Sequence, residues 1–357
     1  MKPRIVFLVL SAVAKASTVD QLARSLAPHC VLVHHDFSQT PDFKLTAPNV
    51  VFVPEPKRTG WAFFGLVDAI FHSMQYASDH LDFDYFQLLT PSCLPIKPME
   101  AFEAHVAGPE EAHFGCVDLF EDRDVLMSVG YRALTPENSF RHRVFRRLSK
   151  EYFGTSPGRR EEAGIWLRSG GPKTPLAWAA LAATKALTQP LLGRHIFRNR
   201  LRPYYGSTWF GARRHIVSRM LEGFAQPGFR DYFSRLRIAD EFLVPTLLMS
   251  LQPVKGESNH LIHTFDEAHP GVLQEADLAQ LAHSRAFFAR KFPDDVGNPI
   301  RARVLHEFAG MDDPEVLALR PKAHAAVPAR LRSIQARPQG EPPQAQSDSE
   351  HWPLSMS

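Results

Sequence analysis

The first ninety residues alternate between short apolar runs and stretches with helical periodicity. Four segments rich in apolar residues are each long enough for a buried strand, at 5–10, 30–35, 50–53 and 84–90. Apolar positions at helical spacing fill 17–26 and 61–77 between them. Strands that alternate with helices in this way predict an α/β fold, with a mostly parallel central sheet covered by helices on both faces.

Polar residues follow two of these strands where each is expected to end. His34, His35 and Asp36 close the second strand, and the turn 90–93 closes the fourth. In open parallel sheets, ligands bind in the crevice at the carboxyl ends of the strands. The sequence therefore predicts that these residues face one crevice, where a nucleotide would lie.

The pattern weakens between about 120 and 202. A basic helical segment at 140–152 precedes a stretch rich in glycine and proline at 154–172. We interpret 120–202 as a helical insertion within one domain that spans 1–320. From 321 to 357 the chain is rich in Ala, Pro, Gln, Arg and Ser with few large apolar residues, which predicts a disordered tail.

Regular structure is predicted again after residue 203. The sequence indicates a short strand at 204–210, a helix at 213–223 and a second helix at 240–250. Asp240 is placed to act as the N-cap of that last helix, with Glu241 in its first turn. Pro245 is best tolerated near a first turn, which allows the cap to lie a residue or two later.

Composition excludes several classes of protein. A formal net charge of +3 in 357 residues does not favour nucleic acid as the main partner. Three cysteines without CxxC spacing argue against a disulfide framework and a structural zinc site, and fit a reducing cytoplasm. The apolar run at 5–10 is too short for a spanning helix and is interpreted as the first strand.

Two DxD strings could in principle bind a divalent ion. Asp82 and Asp84 precede the fourth predicted strand, whereas Asp122 and Asp124 lie in a polar loop. Both strings are more simply interpreted as solvated turn residues. The seventeen histidines form no HExxH-like signature, so no metal ligand is assigned.

Several segments in order resemble the Core-2/I-branching N-acetylglucosaminyltransferase family, also called glycosyltransferase family 14, which includes peptide O-xylosyltransferases and bacterial members. The N-terminal segments are VHHD at 33–36, Trp61 with Ala69, DYFQLLT at 84–90 and LPIK at 94–97. The C-terminal segments are GSTWF at 206–210, DEF at 240–242, HP at 269–270, DL at 277–278 and FARKF at 288–292.

The resemblance implies a GT-A-like fold and an inverting transfer from a UDP-sugar, of GlcNAc or xylose type, without a metal or other cofactor. The expected acceptor is a glycan or lipid-linked polysaccharide, in bacterial surface polysaccharide synthesis. Inversion needs one general base, and Glu241 is the candidate. The donor-binding candidates are Asp36, Ser207, His260, Arg290 and Lys291, and the sugar-pocket candidates are Ser92, Cys93, Trp209 and Asp240.

Without a metal, the leaving diphosphate needs fixed positive charge, which Arg290 and Lys291 would supply. The chain departs from the family at two positions, because Cys93 stands where an Asp is usual and His260 where a basic residue is usual. Arg200 or Arg202 is a candidate replacement for the second cation.

Each candidate also has a plain structural interpretation. Asp240 and Glu241 could form an ordinary cap, Trp209 could be a core residue, Asp36 an Asx-type turn, and Cys93 a small core residue. Arg290 and Lys291 could be solvated cations at an element's end.

Other functions also stay open at this point. They are a metal-dependent GT-A transferase that uses Asp122 and Asp124, a nucleotide-sugar hydrolase, and a non-catalytic relative that binds sugar nucleotides.

The segment 175–203 combines Leu and Ala runs with basic residues. These are Lys185, Arg194, Arg198, Arg200 and Arg202. We favour a buried helix with a basic edge; the alternative is peripheral contact between this cytoplasmic protein and an anionic membrane that presents a lipid-linked acceptor.

Overall fold

The computed structural model describes residues 2–192, 201–262, 265–266, 269–313 and 316–317. The predicted tail at 321–357 and the residues Arg194, Arg198 and Arg200 lie outside these ranges.

Sixteen strands are present in the described residues. In chain order they are β1 (Ile5–Ser11), β2 (Cys30–His35), β3 (Val50–Phe52), β4 (Tyr85–Leu89), β5 (Leu94–Pro95), β6 (Ala112–His113), β7 (Cys116–Asp118), β8 (Gly158–Glu162), β9 (Ile165–Ser169), β10 (Tyr204–Gly206), β11 (Gly211–Arg213), β12 (Lys255–Gly256), β13 (His260–Ile262), β14 (Phe265–Asp266), β15 (His269–Pro270) and β16 (Phe288–Arg290).

Eleven α-helices accompany these strands within the same ranges. They are α1 (Ala16–Ser25), α2 (Gly65–His80), α3 (Met99–Val106), α4 (Arg123–Leu134), α5 (Phe140–Phe153), α6 (Pro175–Leu192), α7 (Arg214–Phe224), α8 (Phe229–Phe233), α9 (Asp240–Ser250), α10 (Leu278–His283) and α11 (Pro299–Arg303). No helix among the described residues has both the length and the apolar character needed to cross a bilayer.

The main sheet has seven strands in the order β12-β6-β11-β4-β1-β2-β3. The strands β3, β2, β1 and β4 are parallel neighbours, and β11 runs antiparallel between β4 and β6. The predicted α/β class with a mostly parallel sheet is therefore confirmed.

Side chains alternate between the two faces of this sheet, as a pleated strand requires. In β1, Val6 and Leu8 belong to a core shared with α2, α7 and α9. Their neighbours Phe7 and Val9 belong to the opposite core, which includes residues of α1 and α3. Because both faces are apolar and both are covered, the central strands are continuous hydrophobic runs in the sequence.

A smaller sheet in the order β13-β16-β5 packs on the second face. Phe288 of β16 meets Phe7 of β1 edge-to-face, with ring centroids 5.7 Å apart. The backbone N–H of Phe292 donates to the carbonyl oxygen of Ser92 at 2.9 Å. This contact places the end of β16 beside the turn that follows β4.

Three boundaries differ from the sequence prediction. Helix α2 begins at Gly65 and not at 61, because Ala62 has a positive φ of 68° that no helix accommodates. The strand expected at 204–210 is only β10, since the chain turns after Gly206 and continues into β11 in another sheet. The 120–202 region holds α4, α5 and α6, but also a β8–β9 hairpin in the glycine- and proline-rich stretch.

Candidate functional site

The segment after β10 occupies the centre of the candidate site. Gly206 lies so close to the neighbouring strand that a Cβ would stand 2.3 Å from the carbonyl oxygen of Gly115, which only glycine avoids. Ser207 donates its N–H to the same carbonyl oxygen at 3.0 Å, and its Oγ accepts from the N–H of Trp209 at 3.1 Å. These bonds fix Ser207 and hold Trp209 half-buried.

Arg290 stacks on Trp209, with the guanidinium carbon 4.7 Å from the ring centroid. Its Nε is shielded from solvent and has no hydrogen-bond partner, and no described carboxylate pairs with this side chain. Burial lowers the pKa of Arg290, and burial together with the charge of Arg290 lowers the pKa of Lys291. Both cations are partly shielded from water, and their charges are adjacent. This arrangement favours binding of an anion.

His260 completes this group, which we call the basic cluster: Trp209, His260, Arg290 and Lys291. The imidazole is buried, neither ring nitrogen has a partner within the described chain, and its centroid lies 6.5 Å from that of Trp209. Burial and the charge of Arg290 lower the pKa of His260 to about 3. The ring is therefore neutral and offers hydrogen bonds, but not the second charge expected at this position.

The turn after β4 borders the basic cluster. Thr90 Oγ1 lies 2.9 Å from Ser92 Oγ and 3.3 Å from Cys93 Sγ. Cys93 is fully buried, and burial raises the pKa of its thiol while the charge of Arg290 opposes that rise. Two of the four sugar-pocket candidates thus lie in this turn: Cys93 is a packed thiol near the charge of Arg290, and Ser92 is partly exposed beside the end of β16.

Asp240 is the first residue of α9, and the prediction that it caps the helix is wrong. Ala239 occupies the cap position. The buried carboxylate of Asp240 turns instead toward Thr208 and accepts a hydrogen bond from its hydroxyl. Burial raises the pKa of Asp240, and the Thr208 bond opposes this shift. Through Thr208, the segment that carries Trp209 is tied to the start of α9.

Glu241 lies on the outer side of this junction with about a third of its side chain exposed (31%). Its Oε2 accepts from Arg132 Nη2 at 3.0 Å, and Arg132 is also stacked near Tyr205 and Phe242. Burial raises the pKa of Glu241, the charge of Arg132 lowers it, and the nearby Asp240 raises it, with a net upward shift. We call Asp240 and Glu241 the acidic pair.

Asp36 is buried directly after β2, and hydrogen bonds from neighbouring loop residues occupy its carboxylate. Its carboxylate accepts from the N–H and hydroxyl of Ser38, from Gln39 Nε2 and from the N–H and hydroxyl of Thr59, at 2.6–3.2 Å. Burial alone would raise the pKa of Asp36, but these hydrogen bonds outweigh it and lower the pKa. Asp36 therefore anchors the loop between β3 and α2, as in the Asx-turn interpretation.

That loop ends in two exposed aromatic side chains. Trp61 and Phe63 are 68% and 73% exposed. The guanidinium carbon of Arg237 lies 5.2 Å from the ring centroid of Trp61, and the N–H of Ile238 donates to the carbonyl oxygen of Ala62 at 3.2 Å. The loop is thereby attached to the segment that leads into α9 and Glu241.

Both DxD strings have structural partners. Asp82 and Asp84 pair with Arg4 at the amino end of β4, away from the basic cluster. Asp122 caps α4 by accepting from the N–H groups of Asp124 and Val125. Within the described ranges, no three His, Cys, Asp or Glu side chains are grouped so that they could hold a metal ion.

The remaining candidate cation also has partners. Arg202 forms ion pairs with Asp118 at 3.0 Å and with Glu121 at 3.3 Å. Its charge is therefore already balanced by carboxylates of the protein.

Two members of the site were not predicted from the sequence. Arg132 and Thr208 contact the acidic pair, yet Arg132 lies more than 100 residues from Glu241 in the chain. Thr208 falls within the GSTWF segment, which gave a weak signal. Nothing in the sequence around Arg132 distinguishes it from the other basic residues of the 120–202 region.

No protein-family model and no curated protein sequence matches this chain. Among solved structures it is similar to WbbM, a bifunctional glycosyltransferase in its apo form, at 10% identity and a TM-score of 0.37, covering 81% of this chain. The chain spans only 46% of the length of WbbM. It is also similar to the galactosyltransferase LgtC in complex with donor and acceptor sugar analogues, at 10% identity and a TM-score of 0.32, covering 94% of this chain and 98% of that one.

Both proteins are glycosyltransferases.

Proposed function

We propose that the chain is an inverting, metal-independent glycosyltransferase that moves a sugar from a UDP-sugar to a hydroxyl of a glycan or polysaccharide acceptor. The observation that carries the proposal is that the 207–209 segment contacts Arg290 through Trp209 and contacts Asp240, the neighbour of Glu241, through Thr208. On one side are two cations without a described anionic partner, and on the other is an accessible carboxylate with a raised pKa.

The basic cluster suits a nucleoside diphosphate. Arg290 offers a planar set of donors and Lys291 a point charge, which together offset the charge that develops on the leaving diphosphate. The indole of Trp209 already holds the Arg290 side chain in place. Ligand binding therefore costs little additional side-chain entropy at this residue. His260, neutral because of its burial, contributes a hydrogen bond without adding repulsion between cations.

Glu241 suits the role of general base. The acceptor oxygen attacks the anomeric carbon, the bond from that carbon to the diphosphate oxygen breaks, and its electron pair leaves with the UDP. The acceptor proton passes to Glu241. A pKa raised by burial makes the carboxylate a better proton acceptor, while Arg132 keeps it ionised and oriented through Oε2.

The exposed aromatic loop suits the acceptor. Trp61 and Phe63 lie next to the segment that positions Glu241, and aromatic faces attract the weakly positive C–H faces of sugar rings. A glycan or lipid-linked polysaccharide, as in surface polysaccharide synthesis, would present such faces.

A ligand screen tests the proposal. The full chain is heated with UDP, UDP-GlcNAc, UDP-xylose or UDP-glucose, with EDTA and separately with Mn²⁺, and the melting temperature is measured. Binding to the folded state should raise the melting temperature in EDTA. A rise that needs Mn²⁺ would favour the metal-dependent alternative.

Turnover separates the remaining alternatives. Transfer to an oligosaccharide panel is followed by UDP release and by mass spectrometry of the products. Sugar release that is independent of every acceptor would indicate a hydrolase. Tight UDP binding without turnover would indicate a non-catalytic binding protein.

A further inference from the structure

Helices α5 and α6 form an outer layer over α4. A small core with Met127, Tyr152, Ala180 and Leu181 joins the three helices. The end of α5 and the start of α6 line one cleft, and Arg141 at the start of α5 and Leu191 at the end of α6 line another. The two helices therefore run antiparallel. The sides of α5 and α6 that face away from α4 therefore form one continuous surface, which we call the lobe face.

Helix α6 exposes apolar side chains on the lobe face. Lys185 is its one charged residue in eighteen. Leu176, Trp178 and Leu187 are 60%, 56% and 43% exposed, and several alanines lie exposed among them. The buried-helix interpretation of this segment is therefore wrong for one side of α6. An exposed apolar helix face of this kind marks an interaction surface.

Helix α5 supplies positive charge beside it. Its exposed basic residues are Arg141, Arg143, Arg146, Arg147 and Lys150. Glu151 is the one acidic residue of the helix and pairs with Arg147 at 2.8 Å. Five basic residues and one acidic residue give the helix a charge of +4 with His142 neutral. Helix α5 thus supplies positive charge beside α6 that the sequence analysis did not include.

We infer that the lobe face binds the surface of an anionic phospholipid bilayer. The exposed alanines of α6 rest at the boundary between headgroups and acyl chains; Leu176 and Leu187 enter it along one edge of the exposed side, Trp178 enters it along the other edge, and the cations of α5 contact the headgroups. A second copy of the chain would bring two strongly basic helices into one interface, which repulsion opposes. A nucleic acid would match the charge of α5 but leave the apolar side of α6 uncovered.

Vesicle flotation of the full chain tests the inference, independently of any transferase activity. Vesicles of phosphatidylcholine alone are compared with equal parts of phosphatidylcholine and phosphatidylglycerol, at low and high salt. We expect at least tenfold stronger partition onto the anionic vesicles, with the preference reduced by high salt.

Two variants address the two halves of the lobe face. Arg143→Glu/Arg146→Glu should reduce partition onto anionic vesicles more than tenfold, and Trp178→Ala/Leu187→Ala should reduce it several-fold at both salt concentrations. All four positions are exposed, so both proteins should fold. Matched controls make the same kinds of change elsewhere: Arg219→Glu/Arg285→Glu for the charges and Val254→Ala/Val272→Ala for the exposed apolar side chains.

Several outcomes would overturn the inference. These are equal partition onto both kinds of vesicle, loss of partition in a control to the same degree, or unchanged partition in both lobe variants. A concentration-dependent dimer that Trp178→Ala/Leu187→Ala dissociates would instead identify the lobe face as a contact between copies.

Discussion

Replacing Arg290 with methionine should separate ligand binding from stability. In the unliganded protein, Arg290 is partly buried with a shielded Nε, and no described carboxylate offsets its charge. Methionine has a similar length and no charge, so the variant loses a desolvation cost and a cation–π contact worth about 0.5–1 kcal/mol. We expect the free energy of unfolding to stay within about 1 kcal/mol of the wild-type value or to rise.

The effect on UDP should be much larger. Hydrogen bonds to a charged group contribute about 1.5–3 kcal/mol, so the Kd for UDP should rise roughly 10- to 150-fold. At a UDP concentration of 100 times the wild-type Kd, binding stabilises the folded state by about 2.7 kcal/mol. A hundredfold loss of affinity would leave about 0.4 kcal/mol of that stabilisation.

Urea unfolding with and without UDP measures both quantities. Arg202→Met is the matched control, because Arg202 pairs with the buried carboxylate of Asp118. That control should lower the free energy of unfolding, by up to about 3 kcal/mol, and leave UDP affinity unchanged. If Arg290→Met unfolds more easily and binds UDP normally, Arg290 is a structural residue and the diphosphate is held elsewhere.

Three further predictions follow from the same geometry. Glu241→Gln should retain UDP binding while transfer falls by roughly two to four orders of magnitude; near-normal turnover would remove Glu241 from the chemistry. Trp61→Ala should raise the KM for the acceptor with little change in the Kd for UDP, whereas an equal loss of both would contradict an acceptor role. His34, His113 and His260 have pKa values lowered by burial to about 4, 3 and 3. As the pH falls below about 6.5, these histidines take up protons in the unfolded chain but not yet in the folded protein. The free energy of unfolding should therefore fall by up to about 1.4 kcal/mol per pH unit for each histidine, until the pH reaches the pKa of that histidine in the folded protein. Urea titrations from pH 7 to pH 5 measure this slope, and a flat profile would refute it.

The acidic pair illustrates where reasoning from the sequence succeeds and where it does not. The sequence predicts the helix at 240–250 with its observed bounds, because a run of apolar residues follows two acids. The role of Asp240 as a cap was not correct, since its carboxylate is directed by Thr208, and that contact exists only after β10 and α9 have packed together.

The sequence by itself determined the alternation of strands and helices in the first ninety residues and the parallel arrangement of the central strands. Continuous apolar runs identify strands buried on both faces, and amphipathic stretches between them identify the covering helices. These patterns are local, so they can be recognised without a structure.

Only the tertiary structure decided which polar groups have partners. It left Arg290 beside Trp209 without a described anion, paired Arg202 with Asp118, enclosed Asp36 in its own loop and exposed one side of α6. Hydrogen bonding and burial depend on residues that are distant in the chain, and a charged side chain has the same local pattern whether it is paired or available. The physical reason is that desolvation and charge pairing are properties of the packed chain and not of a segment.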